Sequence, residues 1–371
     1  MPTRRFDATD DGALDALYAD VAEKYLQPLW ELSGLLTPTP TVRAVPYRWR
    51  GKDLRDLGER AGELVPVGRG GDRRVLSLSN PGLGGAPYAT STLWGAVQYL
   101  GAGETAPAHR HTPAALRFVL EGEGVWTQVD DDPLHMAAGD LILTPSWTWH
   151  EHHNPGAAPM TWFDALDLPL VEALDAVFFE PGAGRTAEPA NPGGSASEPS
   201  APGRSASERH FGGGPGLLPG GATTPAPAHS PLLRYRWTDT DRALNGQLHD
   251  SASSAARSGH AHVRFADPTN GRDVMPTMRC EMHRYLPGHT EPEERRTGSS
   301  LIAVFHGTGA VVLDGVRYDV APGDLIAVPS WTSQRVVADQ RLDLFAVSDA
   351  PVLEALALYR TEQVPAATDT F

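Results

Sequence analysis

Gly103-Glu-Thr-Ala-Pro-Ala-His109-Arg-His111 and Gly139-Asp-Leu-Ile-Leu-Thr-Pro145-Ser-Trp147-Thr-Trp-His150-Glu-His-His-Asn154 are the stretches on which the reading of this chain turns. His109 and His111 are two residues apart, so on an extended strand both imidazoles leave the same face. His150 belongs to a separate strand, after a Gly-Asp turn and a proline. Three imidazoles converging from two strands suit a divalent first-row metal and leave further coordination positions open.

The sequence around these stretches reads as short strands. Arg74-Val-Leu-Ser-Leu-Ser and Thr92 to Leu100 alternate with period two, and similar runs follow to about residue 168, separated by Gly, Pro, Asn and Asp. This pattern predicts a β-sandwich or barrel and argues against βαβ units. Upstream, Leu14, Leu17, Tyr18, Val21 and Tyr25 recur at helical steps, which predicts helix over 11–36, broken or kinked at Pro28. A second helix is expected at 52–64 and a closing helix from Leu170 to Phe179. Residues 181–230 are dominated by Gly, Pro, Ala and Ser and read as a flexible linker. Order is expected to resume near Leu232, with Thr238 as the N-cap of a short helix to about residue 248.

An internal repeat organises the whole. Gly139-Asp-Leu-Ile-Leu-Thr-Pro-Ser-Trp-Thr148 recurs as Gly323-Asp-Leu-Ile-Ala-Val-Pro-Ser-Trp-Thr332, identical at eight of ten positions with an offset of 184. Arg117 to Gly124 matches Ile302 to Gly309 at an offset of 185, so one β-domain occurs twice. The copies differ in chemistry. His109-Arg-His111 aligns with Glu294-Arg-Arg296, His150 with Gln334 and Asn154 with Ala338. The second copy has lost all three imidazoles and reads as structural or interfacial, with Arg296 opposing any cation there.

Composition narrows the function classes. The 371 residues carry a formal net charge of −15, which disfavours nucleic acid and anionic membranes as partners. An anionic substrate then requires a locally basic pocket. The single Cys280 excludes an internal disulfide framework. Met1-Pro-Thr-Arg-Arg-Phe-Asp runs into acidic sequence and lacks the pattern of a secretory signal, and no apolar run is long enough for a bilayer. A cytoplasmic location is expected.

The motifs are similar to those of the cupin superfamily: Gly103, His109 and His111, then Gly139, Pro145, His150 and Asn154. Two departures narrow the match. Many cupins have a glutamate ligand four or five residues after the second histidine, where Ala115 and Leu116 stand, and Glu121 lies too far along to replace it. Trp147 stands where the general pattern has glycine. Together with Arg117-Phe, Glu121-Gly-Glu-Gly and Thr144-Pro-Ser-Trp-Thr-Trp-His-Glu-His152, these features resemble the bicupin ring-cleaving dioxygenases typified by gentisate 1,2-dioxygenase. Relatives in that group act on 1-hydroxy-2-naphthoate and salicylate.

The resemblance implies a mainly β fold, a bicupin of two β-barrel (jelly-roll) domains with an N-terminal helical segment. The expected boundaries are 1–72 for the helical extension, 73–180 for the catalytic cupin, 181–230 for the linker and 231–371 for the degenerate cupin. It also implies non-haem Fe(II) held by His109, His111 and His150, O₂ and a small aromatic carboxylate as partners, and a homo-oligomer, specifically a tetramer. Gentisate would open between its carboxylate-bearing and adjacent hydroxyl-bearing carbons to give maleylpyruvate.

Further residues are expected around that centre. Trp94 and Gln98 share a strand face, and the resemblance puts such residues against the substrate. Arg117 offers a planar cationic fork to a carboxylate. Arg73, or its neighbour Arg74, would supply a second cationic contact. His152 shares a face with His150 and would orient oxygen or move a proton, with Asp164 on a neighbouring strand as its partner. His153 reads as a solvated turn residue and Trp162 as core. The competing readings are a cupin that clamps a small aromatic acid without oxidising it, or one that isomerises or decarboxylates it. Consumption of O₂ separates them.

Overall fold

The computed structural model describes residues 11–65, 74–182, 203–212 and 227–365. Arg73 and most of the expected linker lie outside the described residues. The chain divides into a unit ending at Thr41 and a larger one beginning at Val42.

In the smaller unit, α1 (Asp11–Glu23) ends well short of the predicted residue 36. Leu26 N–H reaches back to the Val21 carbonyl around Tyr25, whose φ is +56°, so the helix is closed by a left-handed cap before Pro28 can interrupt it. A single 3₁₀ turn follows at Leu29–Glu31. Tyr18 donates to Glu31 at 2.8 Å and accepts from Trp30 Nε1 at 3.2 Å, tying that turn to the helix.

The larger unit opens with β1 (Tyr47–Trp49) and α2 (Gly51–Leu64). Then come β2 (Arg74–Ser77), β3 (Trp94–Leu100), β4 (Thr105–His111), β5 (Ala115–Glu121) and β6 (Glu123–Val129). The first copy continues through β7 (Asp132–Ala137), β8 (Leu141–Thr144), β9 (His150–His153), β10 (Met160–Leu166), α3 (Leu168–Ala173) and β11 (Phe179–Pro181). Next are α4 (Ala206–Phe211), β12 (Arg234–Tyr235), α5 (Trp237–His249) and α6 (Ser254–Ser258). The second copy holds β13 (His260–Arg264), β14 (Arg279–Tyr285), β15 (Glu294–Arg296), β16 (Ser300–His306) and β17 (Gly309–Leu313). It closes with β18 (Val316–Val320), β19 (Leu325–Val328), β20 (Ser333–Ala338), β21 (Leu342–Ser348), α7 (Ala350–Ala355) and β22 (Thr361–Gln363).

Each copy is a pair of facing antiparallel sheets. The first has order β12-β8-β5-β10-β3-β2 against β11-β4-β9-β6-β7. The second has β1-β19-β16-β21-β14-β13 against β18-β17-β20-β15-β22. The edge strands are exchanged reciprocally. β1, which precedes the first copy, pairs with β19 of the second, and β12, which precedes the second copy, pairs with β8 of the first. These segments cross the boundaries expected at 73 and 231.

The repeated Gly-Asp turn anchors the exchange. Asp140 accepts from Trp237 N–H at 2.9 Å and from Arg234 at 2.6 Å. Asp324 accepts from Gly51 N–H at 2.7 Å and stands 3.6 Å from Arg48. Gly139 and Gly323 have φ of +85° and +87°, the left-handed region where a side chain is strained. A Cβ on Gly139 would also meet the Trp237 ring at 2.7 Å.

A continuous core joins the two six-stranded sheets: Phe118 stacks on Phe345 with ring centres 4.2 Å apart and meets Phe305 edge-on. Since strand side chains alternate, placing Phe118 in this layer sends Arg117 and Val119 into the first copy's interior. A separate interior cluster there includes Val119, Met136, Met160 and Trp162.

Three further expectations differ. The closing helix is a single short α3, Leu168–Ala173, and Phe179 already belongs to β11. Thr238 is not the cap of α5; Arg236 holds that position with no side-chain bond, and Asp140 receives the first N–H instead. The stretch expected to be linker contains α4, closed by a Ser205–Glu208 capping box. Its first N–H groups donate to Asp132 at 2.6 and 3.0 Å, and Glu208 is buried against Arg234 and Arg236. Composition alone misreads this segment because six residues with two reciprocal bonds suffice to order it.

Candidate active site

β4 and β9 are adjacent, with His109 opposite His150. A bulge between Ala106 and His109 accommodates Pro107, which has no N–H to give the ladder. His109 and His150 are buried, and His111 is half-buried. One ring nitrogen from each of the three lies within 4.8 Å of the others.

The Nδ1 atoms fix the tautomers. His109 Nδ1 is 3.1 Å from the Pro107 carbonyl, His111 Nδ1 2.7 Å from that of Pro113, and His150 Nδ1 3.1 Å from that of Thr148. A carbonyl only accepts, so every Nδ1 carries a proton, and in the neutral rings it is Nε2 that holds the lone pair. Three neutral imidazoles with Nε2 donors form a fitting donor set for a first-row divalent ion.

Above this trio, β5, β10 and β3 bring polar residues to one interior face. Arg117 is opposite Asp164, Asp164 is opposite Ala96, and Trp162 is opposite Gln98. Arg117 Nη1 donates to Thr144 Oγ1 at 2.7 Å, and its Nε lies 3.4 Å from Asp164. Burial pulls the guanidinium below its usual value, and the Asp164 charge opposes that. Asp164 also accepts from Trp162 Nε1 at 3.1 Å. Gln98 is 2% exposed, and its Nε2 has no hydrogen-bond partner among the described residues. Trp94, on the same strand face, is half-buried.

His152 is fully buried, and its ring lies 6.2 Å from that of His150 and 5.4 Å from that of Trp162. Its Nδ1 is 2.9 Å from Thr127 Oγ1, and that hydroxyl donates to Met136 Sδ. The hydroxyl therefore accepts from His152 Nδ1–H, which leaves Nε2 as the basic nitrogen.

Several expectations need correction. Asp164 is not on a strand neighbouring His152; β10 and β9 belong to facing sheets, and their side chains meet across the interior. Arg74 is opposite Tyr99, on the face away from Gln98. It is ion-paired with Glu104 and donates to the carbonyls of Gly62 and Val65, so it belongs to the wall that packs on α2. Val75 is opposite Gln98 instead. His153 lies in β9 rather than a turn, stacked on Trp126 at 3.9 Å. Asn154 donates to the carbonyls of Leu100, Gly101 and Ala158, stapling two turns together. Thr144 and Thr127, which seat Arg117 and His152, were not anticipated; lone hydroxyls carry no periodic signal.

Trp147 has φ of +63°, matched by +63° at Trp331, which explains why the general pattern favours glycine there. Its N–H donates to the His111 carbonyl at 2.8 Å, and the Arg110 guanidinium sits between the Trp147 and Trp149 rings. Trp147 thus locks the end of the ligand strand. In the second copy, Glu294 is opposite Gln334, the register His109 and His150 keep in the first.

Two jelly rolls in one chain, one carrying a three-imidazole centre, define a bicupin. The cupin domain family model matches residues 96–166 and 281–347. A gentisate 1,2-dioxygenase of a Streptomyces species is 47% identical over 359 residues, covering 96% of this chain and 97% of that protein. A 5-aminosalicylate 1,2-dioxygenase of a Comamonas species is 36% identical, covering 94% of this chain and 90% of that one. The solved salicylate 1,2-dioxygenase of Pseudoaminobacter salicylatoxidans, in its adduct with gentisate, superposes with a TM-score of 0.89 at 43% identity, with 98% of each chain covered. The chain belongs to the gentisate 1,2-dioxygenase family and is a ring-cleaving dioxygenase. Among the described residues, no helix is long and apolar enough to cross a membrane.

Proposed function

We propose that this enzyme opens gentisate between the carboxylate-bearing carbon and its hydroxyl-bearing neighbour, giving maleylpyruvate, with Fe(II) held by His109, His111 and His150. The reading is carried by the three Nδ1–H bonds to backbone carbonyls, which make Nε2 the ligating nitrogen of each neutral ring, with the three rings converging at one place. Fe(II), when bound, supplies the one-electron chemistry that lets triplet O₂ react with a singlet aromatic ring.

The surrounding residues have separate tasks. Arg117, held by Thr144 and Asp164, presents the cationic surface that an acidic protein needs to capture an aromatic carboxylate. Gln98 Nε2 is a buried donor available to a substrate oxygen, and its satisfaction would repay part of its desolvation. His152 Nε2 accepts a proton from the substrate hydroxyl, while Thr127 keeps the ring oriented. Asp164 balances the Arg117 charge, and Trp94 walls the ring. One oxygen atom becomes the keto oxygen on the carboxylate-bearing carbon, and the other completes a carboxylate on the hydroxyl-bearing carbon. No external reductant is required.

The names of the relatives favour testing close substrates in parallel. Iron-loaded protein in an oxygen electrode is expected to consume one O₂ per gentisate and to form maleylpyruvate. Salicylate, 5-aminosalicylate and 1-hydroxy-2-naphthoate should react more slowly. No uptake with any of the four at full iron occupancy would sink the reading; faster turnover of another acid would reassign the substrate alone. The same reading places a cytoplasmic enzyme with its catalytic cupin at 73–180 and a degenerate one at 231–371. It also takes the enzyme to be a tetramer, which light scattering checks.

A further inference from the structure

The second copy, stripped of the three imidazoles, carries a different convergence at the open end of its six-stranded sheet. His260 begins β13, and His289 and Glu291 lie in the loop between β14 and β15. One donor atom from each lies within 4.8 Å of the others. We propose that His260, His289 and Glu291 form a second metal site, for a divalent first-row cation of the Zn²⁺ type.

The protonation pattern is set by neighbouring groups. His289 Nδ1 is 2.7 Å from the Ser258 carbonyl, so it carries a proton, and in the neutral ring Nε2 is the nitrogen with the lone pair. That Nε2 is buried with no hydrogen-bond partner among the described residues, an arrangement that ordinarily costs free energy. His260 Nε2 is 3.1 Å from His283 Nδ1, while His260 Nδ1 stands 3.6 Å from Glu291 Oε1. The latter distance is too long for a hydrogen bond, so these two atoms approach without satisfying each other. With Nε2–H donating to His283, the His260 Nδ1 lone pair faces the carboxylate. Tyr285 donates to Glu291 Oε1 at 2.8 Å, the kind of outer contact that orients a ligating carboxylate. Two nitrogens and one oxygen are a common zinc set, with a position left for water.

The first copy shows what this corner holds when no metal is wanted. Glu104 follows Gly103 as His289 follows Gly288, and Arg74, opposite Tyr99, corresponds to Ala261, opposite Arg284. There the corner is closed by the Arg74–Glu104 ion pair. In the second copy that arginine is absent, and no lysine or arginine among the described residues pairs with Glu291. A bound cation supplies the missing positive charge and ties β13 to the β14–β15 loop. Glu291 also lines a cavity of about 160 Å³ in the second copy's interior, with Arg296 and Gln334.

The test uses the full chain, stripped with chelator, incubated with Zn²⁺, dialysed and assayed for metal per chain. Wild type is expected to retain two equivalents. His150→Ala should retain one, and the double variant His289→Asn/Glu291→Gln should also retain one. His289→Asn keeps a donor toward the Ser258 carbonyl, and circular dichroism verifies the fold. With Co²⁺ as probe, His150→Ala should show visible d–d absorption that disappears when the double change is added. A folded double variant that retains as much zinc as wild type overturns the proposal.

Discussion

Arg117 on β5 and Asp164 on β10 stand directly opposite each other, Nε 3.4 Å from Oδ1, and both are buried. A guanidinium in that position is tolerable only with a compensating carboxylate. Removing one member of a buried pair costs about 3–5 kcal/mol, so Asp164→Asn should lower the urea midpoint accordingly. Arg117→Lys keeps the charge but loses the fork, and should raise KM about tenfold or more with a smaller change in kcat. Unchanged stability in the first variant and unchanged KM in the second would remove Arg117 from the substrate site.

His109→Ala, His111→Ala and His150→Ala are each expected to lower retained iron at least tenfold in elemental analysis, with the far-ultraviolet spectrum preserved. Gln334→His should leave iron content unchanged, because Glu294 and Arg296 still occupy the equivalent strand. Iron retained at the wild-type level in any of the three alanine variants would refute the ligand set.

Asp140 and Asp324 perform the same task with unequal partners. Arg234 is 2.6 Å from Asp140, whereas Arg48 is 3.6 Å from Asp324. Asp140→Ala should therefore destabilise more than Asp324→Ala, by about 3–5 kcal/mol against about 1–3 kcal/mol. Thermal melts of the two variants decide the order. The reverse ranking would mean that the backbone N–H bonds, not the arginines, dominate.

Asp343 gives a pH signature. It makes two bonds to Arg284, at 2.8 and 2.9 Å, with both side chains fully buried. Burial raises its carboxyl, but hydrogen bonds from His306 and Arg284 outweigh this and hold it below its ordinary 3.8. A depressed carboxyl stabilises the fold above the unfolded value, and that contribution is lost as pH falls through the folded one. The stability gap between wild type and Asp343→Asn should thus be flat from about pH 8 to about pH 5 and shrink only in stronger acid. A gap that closes near neutral pH would contradict the assignment.

What was legible in the sequence was local. The three imidazoles could be found because two share a strand face and the third follows a turn with its own signature. The repeat showed that Glu294 and Gln334 replace His109 and His150, and the strand registers agree. The partners of the repeated Gly-Asp turn were not legible, since Trp237 and Gly51 come from segments outside either copied motif. Alternation put Asp164 and His152 inward without saying that their strands belong to facing sheets. Arg74 looked equivalent to Arg73 until its pairing with Glu104 gave it a direction. Ser205 and Glu208 did carry a readable capping box, hidden by the composition around it.

The exchanged edges set a timetable for synthesis. Gly51 leaves the ribosome early, yet the carboxylate that receives its N–H lies 273 residues later. The nascent first copy is likewise short of an edge strand until Arg234 and Tyr235 emerge. Contacts this distant slow folding and leave apolar sheet surface exposed meanwhile. A nascent chain halted before Asp324 holds an N-terminal strand with nothing to pair with, so late truncations should be cleared by proteases or held by chaperones even though every metal-binding imidazole of the first copy has been made.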